Sequence, residues 1–176
     1  MKKALFLDRD GVINIEKNYL YKKDDFEFID GIFELCKHYQ NLGYLIFIVT
    51  NQSGIARGMY SEEDFSKLTS WMTEEFKKNN ITIAKVYHCP HHPDISGDCD
   101  CRKPKPGMIL NAASEFHIDL LHSIMIGDKE RDIEAALNAG IGETYLYDSS
   151  KVVLKTKATK IVSNFGEIWM KNAHTK

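Results

Sequence analysis

Three short apolar runs constrain the fold of this chain more than any other feature. Residues 3–7, 44–49 and 123–126 are rich in Ile, Leu, Val and Phe and too short to be helices. Continuous runs of that kind suit strands buried on both faces of a parallel sheet. Residues 83–87 and 143–147 are weaker candidates for the same sheet. Helical patterns fall between the runs. Ser61, with Asp64 three residues on, resembles a capping box, and Phe65, Leu68, Met72 and Phe76 follow at helical spacing. Residues 32–42 close at Gly43 and residues 131–139 at Gly140, each a plausible C′ glycine. Cys36, alone in a helical pattern, reads as a small core residue. The tail from Lys151 onward is polar and predicts only an edge strand near Ile161 and a short last helix. Alternating strands and helices predict an α/β fold with a mostly parallel sheet. No repeat or linker divides the chain, so residues 1–176 are expected to form a single domain.

The three strongest strand candidates all run into polar residues: Asp8-Arg9-Asp10, Thr50-Asn51-Gln52 and Gly127-Asp128-Lys129. In a parallel sheet these segments emerge together at the carboxyl edge, where open α/β folds bind their ligands. Composition narrows what could bind. A formal charge of -2 gives no global field for nucleic acid or anionic membrane. No apolar run approaches the ~20 residues that span a bilayer. The apolar stretch at the N-terminus is too short for a signal-peptide core, which predicts a cytoplasmic protein. Nothing resembling a coiled-coil seam suggests assembly, so a monomer is expected.

Two carboxylates two residues apart after a strand can share phosphoryl chemistry. One attacks phosphorus while the other handles the proton on the leaving oxygen. Asp128, from another strand end, can join Asp8 on Mg²⁺, a hard cation that takes carboxylates, phosphate and water. Thr50 and Lys103 offer a hydroxyl and an ammonium to the transferred group.

A second constellation lies between the third and fourth strands. His88-Cys89-Pro90-His91-His92-Pro93 is followed by Cys99-Asp100-Cys101. Three cysteines within thirteen residues suggest metal rather than a disulfide framework. Cys89, His91, Cys99 and Cys101 make a Cys₃His set, the closed type of structural zinc site, with His92 and His88 as competing ligands. Arg102, Lys103 and Lys105 follow directly. Zinc would anchor this turn so that Arg102 and Lys103 meet an anionic substrate.

With these residues assembled, the chain resembles the haloacid dehalogenase superfamily. The D-x-D motif is Asp8-Arg9-Asp10, the second motif Thr50, the third Lys103, and the fourth runs from Gly127-Asp128 to Asp132. The resemblance implies a Rossmann-like three-layer fold without a large cap domain. It implies Asp8 as nucleophile through an aspartyl-phosphate, and Asp10 as general acid and then base. Mg²⁺ would sit on Asp8, Asp128 and the backbone carbonyl of Asp10, with Asp132 orienting its neighbours. The zinc loop resembles a small branch acting on heptose bisphosphates or on histidinol phosphate. Residues 26–31, 49–59 and 105–108 look more like the heptose side. The seven residues between His91 and Cys99 are closer in length to the histidinol type. The heptose side implies a phosphosugar that loses its C7 phosphate and keeps the one at C1, in making surface-glycan precursors. Gly11, Glu16, Lys17, Asn18 and Tyr19 would then form a substrate loop. Asn51, Gln52 and Ser53 would give hydrogen bonds, and Arg102 and Lys129 would meet the second phosphate, with Arg57 a further candidate. A zinc-bearing phosphosugar-binding module without turnover is the reading from another class. Intact Asp8, Asp10, Lys103 and Asp128 argue against it.

Overall fold

A computed structural model describes residues 1–170; the last six residues of the expected domain lie outside the described residues. The strands are β1 (Ala4–Leu7), β2 (Leu45–Asn51), β3 (Ile83–Cys89), β4 (Ile124–Gly127), β5 (Glu143–Tyr147) and β6 (Lys160–Val162). They form one sheet in the order β3-β2-β1-β4-β5-β6, and every pairing is parallel. The helices are α1 (Ile32–Asn41), α2 (Glu62–Lys78), α3 (Pro93–Ser96), α4 (Gly107–Phe116), α5 (Glu130–Ala139) and α6 (Gly166–Trp169).

The period of two along each strand divides the apolar runs into two cores. Leu5 and Leu7 of β1, with Ile46 and Ile48 of β2, pack with Leu35 and Cys36 of α1 and with Leu68, Met72 and Phe76 of α2. Ala4, Phe6, Phe47 and Val49 face the other way, onto Met108, Ile109 and Ala112 of α4 and Ala135 and Ala136 of α5. Two helical layers around one sheet give the three-layer architecture, and no inserted domain caps its carboxyl edge among the described residues.

Local signals act where expected. Ser61 Oγ accepts from Asp64 N at 3.1 Å and Asp64 Oδ2 accepts from Ser61 N at 2.9 Å, closing the capping box of α2. Gly43 and Gly140 lie at φ +82° and +92°, the left-handed region that ends helices. Two strands run further than their apolar runs. β2 continues through Thr50 and Asn51, and β3 through His88 and Cys89, because these residues pair with one another across the ladder. The first cysteine of the metal loop is therefore fixed by the sheet itself. The loop also holds one turn of helix, α3, where a plain loop is expected from sequence.

Candidate active site

Asp8 directly follows β1, and its backbone N–H donates to the Ile126 carbonyl of β4 at 3.1 Å. Its carboxylate is buried and meets the ammonium of Lys103, which lies 2.8 Å from Asp8 Oδ1, from Asp132 Oδ1 and from the Val49 carbonyl. The Asp132 contact is close but poorly aligned, an ion pair rather than a directed hydrogen bond. Asp132 Oδ2 accepts the Lys129 backbone N–H at 3.0 Å, which pins it to the first turn of α5. One oxygen each of Asp8, Asp128 and Asp132 lies within 4.8 Å of the others. Burial, and then the charge of Asp132, pushes the Asp8 carboxyl well above the usual carboxylate range. The same two causes raise Asp128. Burial opposes the charge of Lys103, but the Asp132 and Asp8 carboxylates outweigh it and raise the ammonium.

Asp8 and Asp132 share one buried ammonium, and Asp128 beside them meets only the exposed Lys129, which leaves the cluster short of buried positive charge. An all-oxygen set of carboxylates within 4.8 Å of one another fits a hard divalent cation such as Mg²⁺. Gly11 makes room for the Asp128 carboxylate. At φ +88° a Cβ there would lie 2.2 Å from Asp128 Oδ2. Gly11→Ala is therefore expected to weaken Mg²⁺ binding about 10-fold or more, beyond the roughly 1–3 kcal/mol of backbone strain. Titration of the metal against melting temperature checks this.

Asp10 stands apart from that cluster. Its Oδ1 accepts from Arg9 and from Asn14 Nδ2 at 3.1 Å, and its Oδ2 accepts from Arg9 Nη2 and Gln52 Nε2, each at 3.0 Å. Arg9 is itself buried and also donates to the Leu20 carbonyl at 2.9 Å. Asp10 opens onto a pocket of about 240 Å³ that Glu16, Asn18, Tyr19, Asn51, Gln52, Ser53 and Arg102 also line. Burial and the Asp10 charge raise the Glu16 carboxyl.

Several residues expected to touch substrate do other work. Lys17 pairs with Glu27 at 3.3 Å, outside the pocket. Asn51 clamps the Lys103 peptide, donating to its carbonyl at 3.1 Å and accepting its N–H at 3.0 Å. Lys129 sits 3.0 Å from Asp128 and lines a separate cleft of about 650 Å³ on the other side of Glu16. That larger cleft reaches Asp128 but neither Asp10 nor the arginines, which line the smaller pocket. Thr50 is fully buried, with its hydroxyl accepting from Gln52 Nε2 at 2.9 Å.

The pocket also holds Arg131 and Tyr60, which sequence reasoning did not single out, beside Arg57. Arg131 carried one usable signal. A cation in the first turn of a helix opposes the macrodipole and needs another reason to be there. None of Arg57, Arg102 and Arg131 pairs with a carboxylate among the described residues. Arg57 meets His92 Nε2 at 2.8 Å, and Arg102 donates to the His91 carbonyl at 3.2 Å. Three guanidiniums in one small pocket make a receptor for an anion.

In the metal loop, ligand atoms of Cys89, His91, Cys99 and Cys101 come within 4.8 Å of one another. The Cys89–Cys99 and Cys99–Cys101 sulfurs are 3.6 Å apart, and His91 Nδ1 lies 3.5 Å from Cys89 and 3.3 Å from Cys101. Ligands about 2.3 Å from a tetrahedral zinc would be separated by roughly 3.7 Å, so this donor set fits that ion. The Cys89–Cys101 pair, at 2.9 Å, is closer than the rest. Burial pushes the Cys101 and Cys89 thiols up. The competing histidines are engaged elsewhere. His92 caps α3 through Nδ1, and His88 meets Glu62 at 2.8 Å while stacking on Phe65.

Comparisons with known proteins agree with this arrangement. Residues 100–166 match the HAD-hydrolase-like family. A D-glycero-alpha-D-manno-heptose-1,7-bisphosphate 7-phosphatase of Campylobacter jejuni is 58% identical over 149 residues, covering 85% of this chain and 84% of that one. A D-glycero-beta-D-manno-heptose-1,7-bisphosphate 7-phosphatase of Vibrio cholerae is 48% identical over 157 residues, covering 86% and 84%. The crystal structure of a D,D-heptose 1,7-bisphosphate phosphatase from B. bronchiseptica, complexed with magnesium and phosphate, superposes with a TM-score of 0.84. It is 26% identical and covers 97% of this chain and 98% of that one. Identity at this level, sustained over most of both chains, makes this protein a member of the heptose-1,7-bisphosphate 7-phosphatase family within the haloacid dehalogenase superfamily.

Proposed function

We propose that this protein hydrolyses the C7 phosphate of D-glycero-D-manno-heptose 1,7-bisphosphate and releases the heptose 1-phosphate. The observation that carries the reading is the pocket itself. It joins Asp10, two residues along the chain from Asp8, to three guanidiniums without carboxylate partners among the described residues. A bisphosphate needs two places for anions, one reactive and one that only binds. Histidinol phosphate would bring an amine instead. Besides Asp10, which is held by Arg9, Asn14 and Gln52, the pocket offers that amine one carboxylate, Glu16, whose Oε1 already accepts the Asn18 N–H, and sets three cations against it.

In this reading Asp8 attacks phosphorus, forming the Asp8 O–P bond as the bond to the C7 oxygen breaks. Asp10 gives that oxygen its proton. Water then attacks the aspartyl-phosphate, passes a proton to Asp10 and frees inorganic phosphate. Lys103 and the Thr50 hydroxyl steady the charge on the transferred group, and Asp132 keeps Lys103 in place. Mg²⁺, held by Asp8, Asp128 and the Asp10 carbonyl, would supply positive charge against the repulsion between carboxylate and phosphate. Zinc on Cys89, His91, Cys99 and Cys101 would be structural. The enzyme would act as a cytoplasmic monomer supplying nucleotide-activated heptose for lipopolysaccharide core or other surface glycans. No described helix is long and apolar enough to cross a membrane.

The test is phosphate release with Mg²⁺ from both heptose bisphosphate anomers and from histidinol phosphate. We expect the α anomer to be preferred, following the relative of higher identity. Preference for histidinol phosphate would overturn the reading. Asp10→Asn is expected to lower kcat on the preferred substrate by roughly 10²–10⁴, the usual worth of general acid–base catalysis. An Asn variant with near-normal release would remove Asp10 from that role.

A further inference from the structure

Gln52 is 2% exposed and every polar atom of its side chain is engaged inside the protein. The amide nitrogen donates to Asp10 Oδ2 at 3.0 Å and to Thr50 Oγ1 at 2.9 Å. The amide oxygen accepts the phenol of Tyr60 in a short hydrogen bond. An amide can be turned end for end about its last bond, and only its partners decide which end faces where. A donor fixed on the oxygen leaves only the nitrogen to face Asp10. Tyr60 is that donor. Burial pushes its phenol up to about 12, so it carries its proton at any working pH.

The surroundings are shaped to bring the phenol there. Tyr60 is 7% exposed and stacks on Tyr21 with ring centroids 5.4 Å apart. A Cβ at Gly54 would fall 2.3 Å from the Tyr60 ring and 3.0 Å from Tyr19. Gly54 is therefore needed as glycine to admit the tyrosine. Without the phenol, the Gln52 oxygen could turn toward Asp10 Oδ2, setting two acceptors against each other.

We propose that Tyr60 and Gln52 form a positioning relay that aims the Asp10 carboxyl at the leaving oxygen. Gln52 is thus a positioning residue rather than a substrate ligand, and Tyr60 acts through it. The proposal rests on Asp10 being the proton donor to the leaving group.

That dependence gives a readout that a merely structural role would not move. An alkoxide leaving group needs the proton far more than p-nitrophenolate does. kcat/KM is measured with Mg²⁺ for p-nitrophenyl phosphate, phenyl phosphate and a simple alkyl phosphate. The wild type is compared with Tyr60→Phe, Gln52→Ala, their double variant and Asp10→Asn. None of these probes is a sugar, so sugar contacts do not enter.

Tyr60→Phe is expected to lower the ratio of alkyl to p-nitrophenyl turnover by roughly tenfold, the worth of one well-placed hydrogen bond to a reacting group. Gln52→Ala should lower it at least as far, and the double variant no further than Gln52→Ala alone, because the two act in series. An equal fall on all three probes in Tyr60→Phe would overturn the relay, as would additive losses in the double variant. If Asp10→Asn itself leaves the ratio unmoved, Asp10 is not the proton donor and both readings fall. If Asp10→Asn lowers the ratio and Tyr60→Phe does not, only the relay falls.

Discussion

Asp8→Asn is expected to abolish turnover while raising the melting temperature of the metal-free protein. The first effect follows from losing the nucleophile. An amide does not form the acyl phosphate, and removing a group that makes the covalent bond costs roughly 10⁴-fold or more in kcat. The second effect follows from the cluster. Asp8, Asp128 and Asp132 crowd their carboxylates together with Lys103 as the buried cation. Burial and the Asp132 charge raise the Asp8 carboxyl, so its ionised form opposes folding. A group whose folded pKa is raised contributes stability below its unfolded pKa and loses it as pH rises through the folded value. The metal-free wild type should therefore lose stability as pH climbs above the ordinary carboxylate range, and the Asn variant should lose less. Asn keeps an oxygen for Lys103 and for the Arg9 N–H, which now meet Asp8 Oδ1 at 2.8 and 2.9 Å. It replaces the other oxygen with a donor. For a chain of this size each kcal/mol of relief appears as about 2–4 °C. Adding Mg²⁺ should reverse the order, because the wild type gains more from binding. Melting curves with chelator and with Mg²⁺, beside a phosphate-release assay, check both halves. A metal-free Asn variant that melts below wild type would mean the carboxylate cluster is not a source of strain.

The site was legible in sequence where chemistry and strand geometry speak together. Asp8, Thr50 and Asp128 lie at or just after the ends of β1, β2 and β4, and a parallel sheet brings such ends to one edge. The Cys₃His donor set was legible because C-x-H and C-x-C each put both donors on one side of an extended segment. What the sequence left open is where a polar side chain turns once the chain is packed. Asn51 and Gln52 follow Thr50 directly, yet one clamps the Lys103 peptide and the other holds Asp10. Lys17 and Tyr19 share one short loop, but only Tyr19 enters the pocket. Arg131 reaches the pocket from α5's first turn, a relation of three dimensions that no spacing rule contains. His92 has the right chemistry for zinc and a suitable place in the chain. A single turn of helix takes its Nδ1 for a cap instead.

Cys101→Ala should lower the melting temperature by roughly 10 °C or more and should raise KM more than it lowers kcat. Structural zinc contributes on the order of 10–16 kcal/mol to the folding of small peptides that have no other core. Here the sheet carries two apolar cores of its own, so a smaller share, about 3–5 kcal/mol, is expected, at roughly 2–4 °C for each. The kinetic split follows from which contacts survive. Lys103 is tied at both ends independently of the metal. Asn51 holds its peptide, while Asp8, Asp132 and the Val49 carbonyl hold its ammonium. Arg102 has no such support. Its described hydrogen bond runs to the carbonyl of His91, another ligand of the same cluster. Arg57 likewise leans on His92 at the start of α3. Loosening the loop thus releases two of the three guanidiniums in the anion pocket and leaves the reacting groups nearly in place. Metal analysis, melting curves with and without a strong chelator, and full kinetics on the preferred bisphosphate test the argument. A purified protein without zinc whose melting is unchanged in Cys101→Ala would refute a structural zinc site. A variant that loses kcat with KM unmoved would mean that the loop reaches the reaction through Lys103 after all.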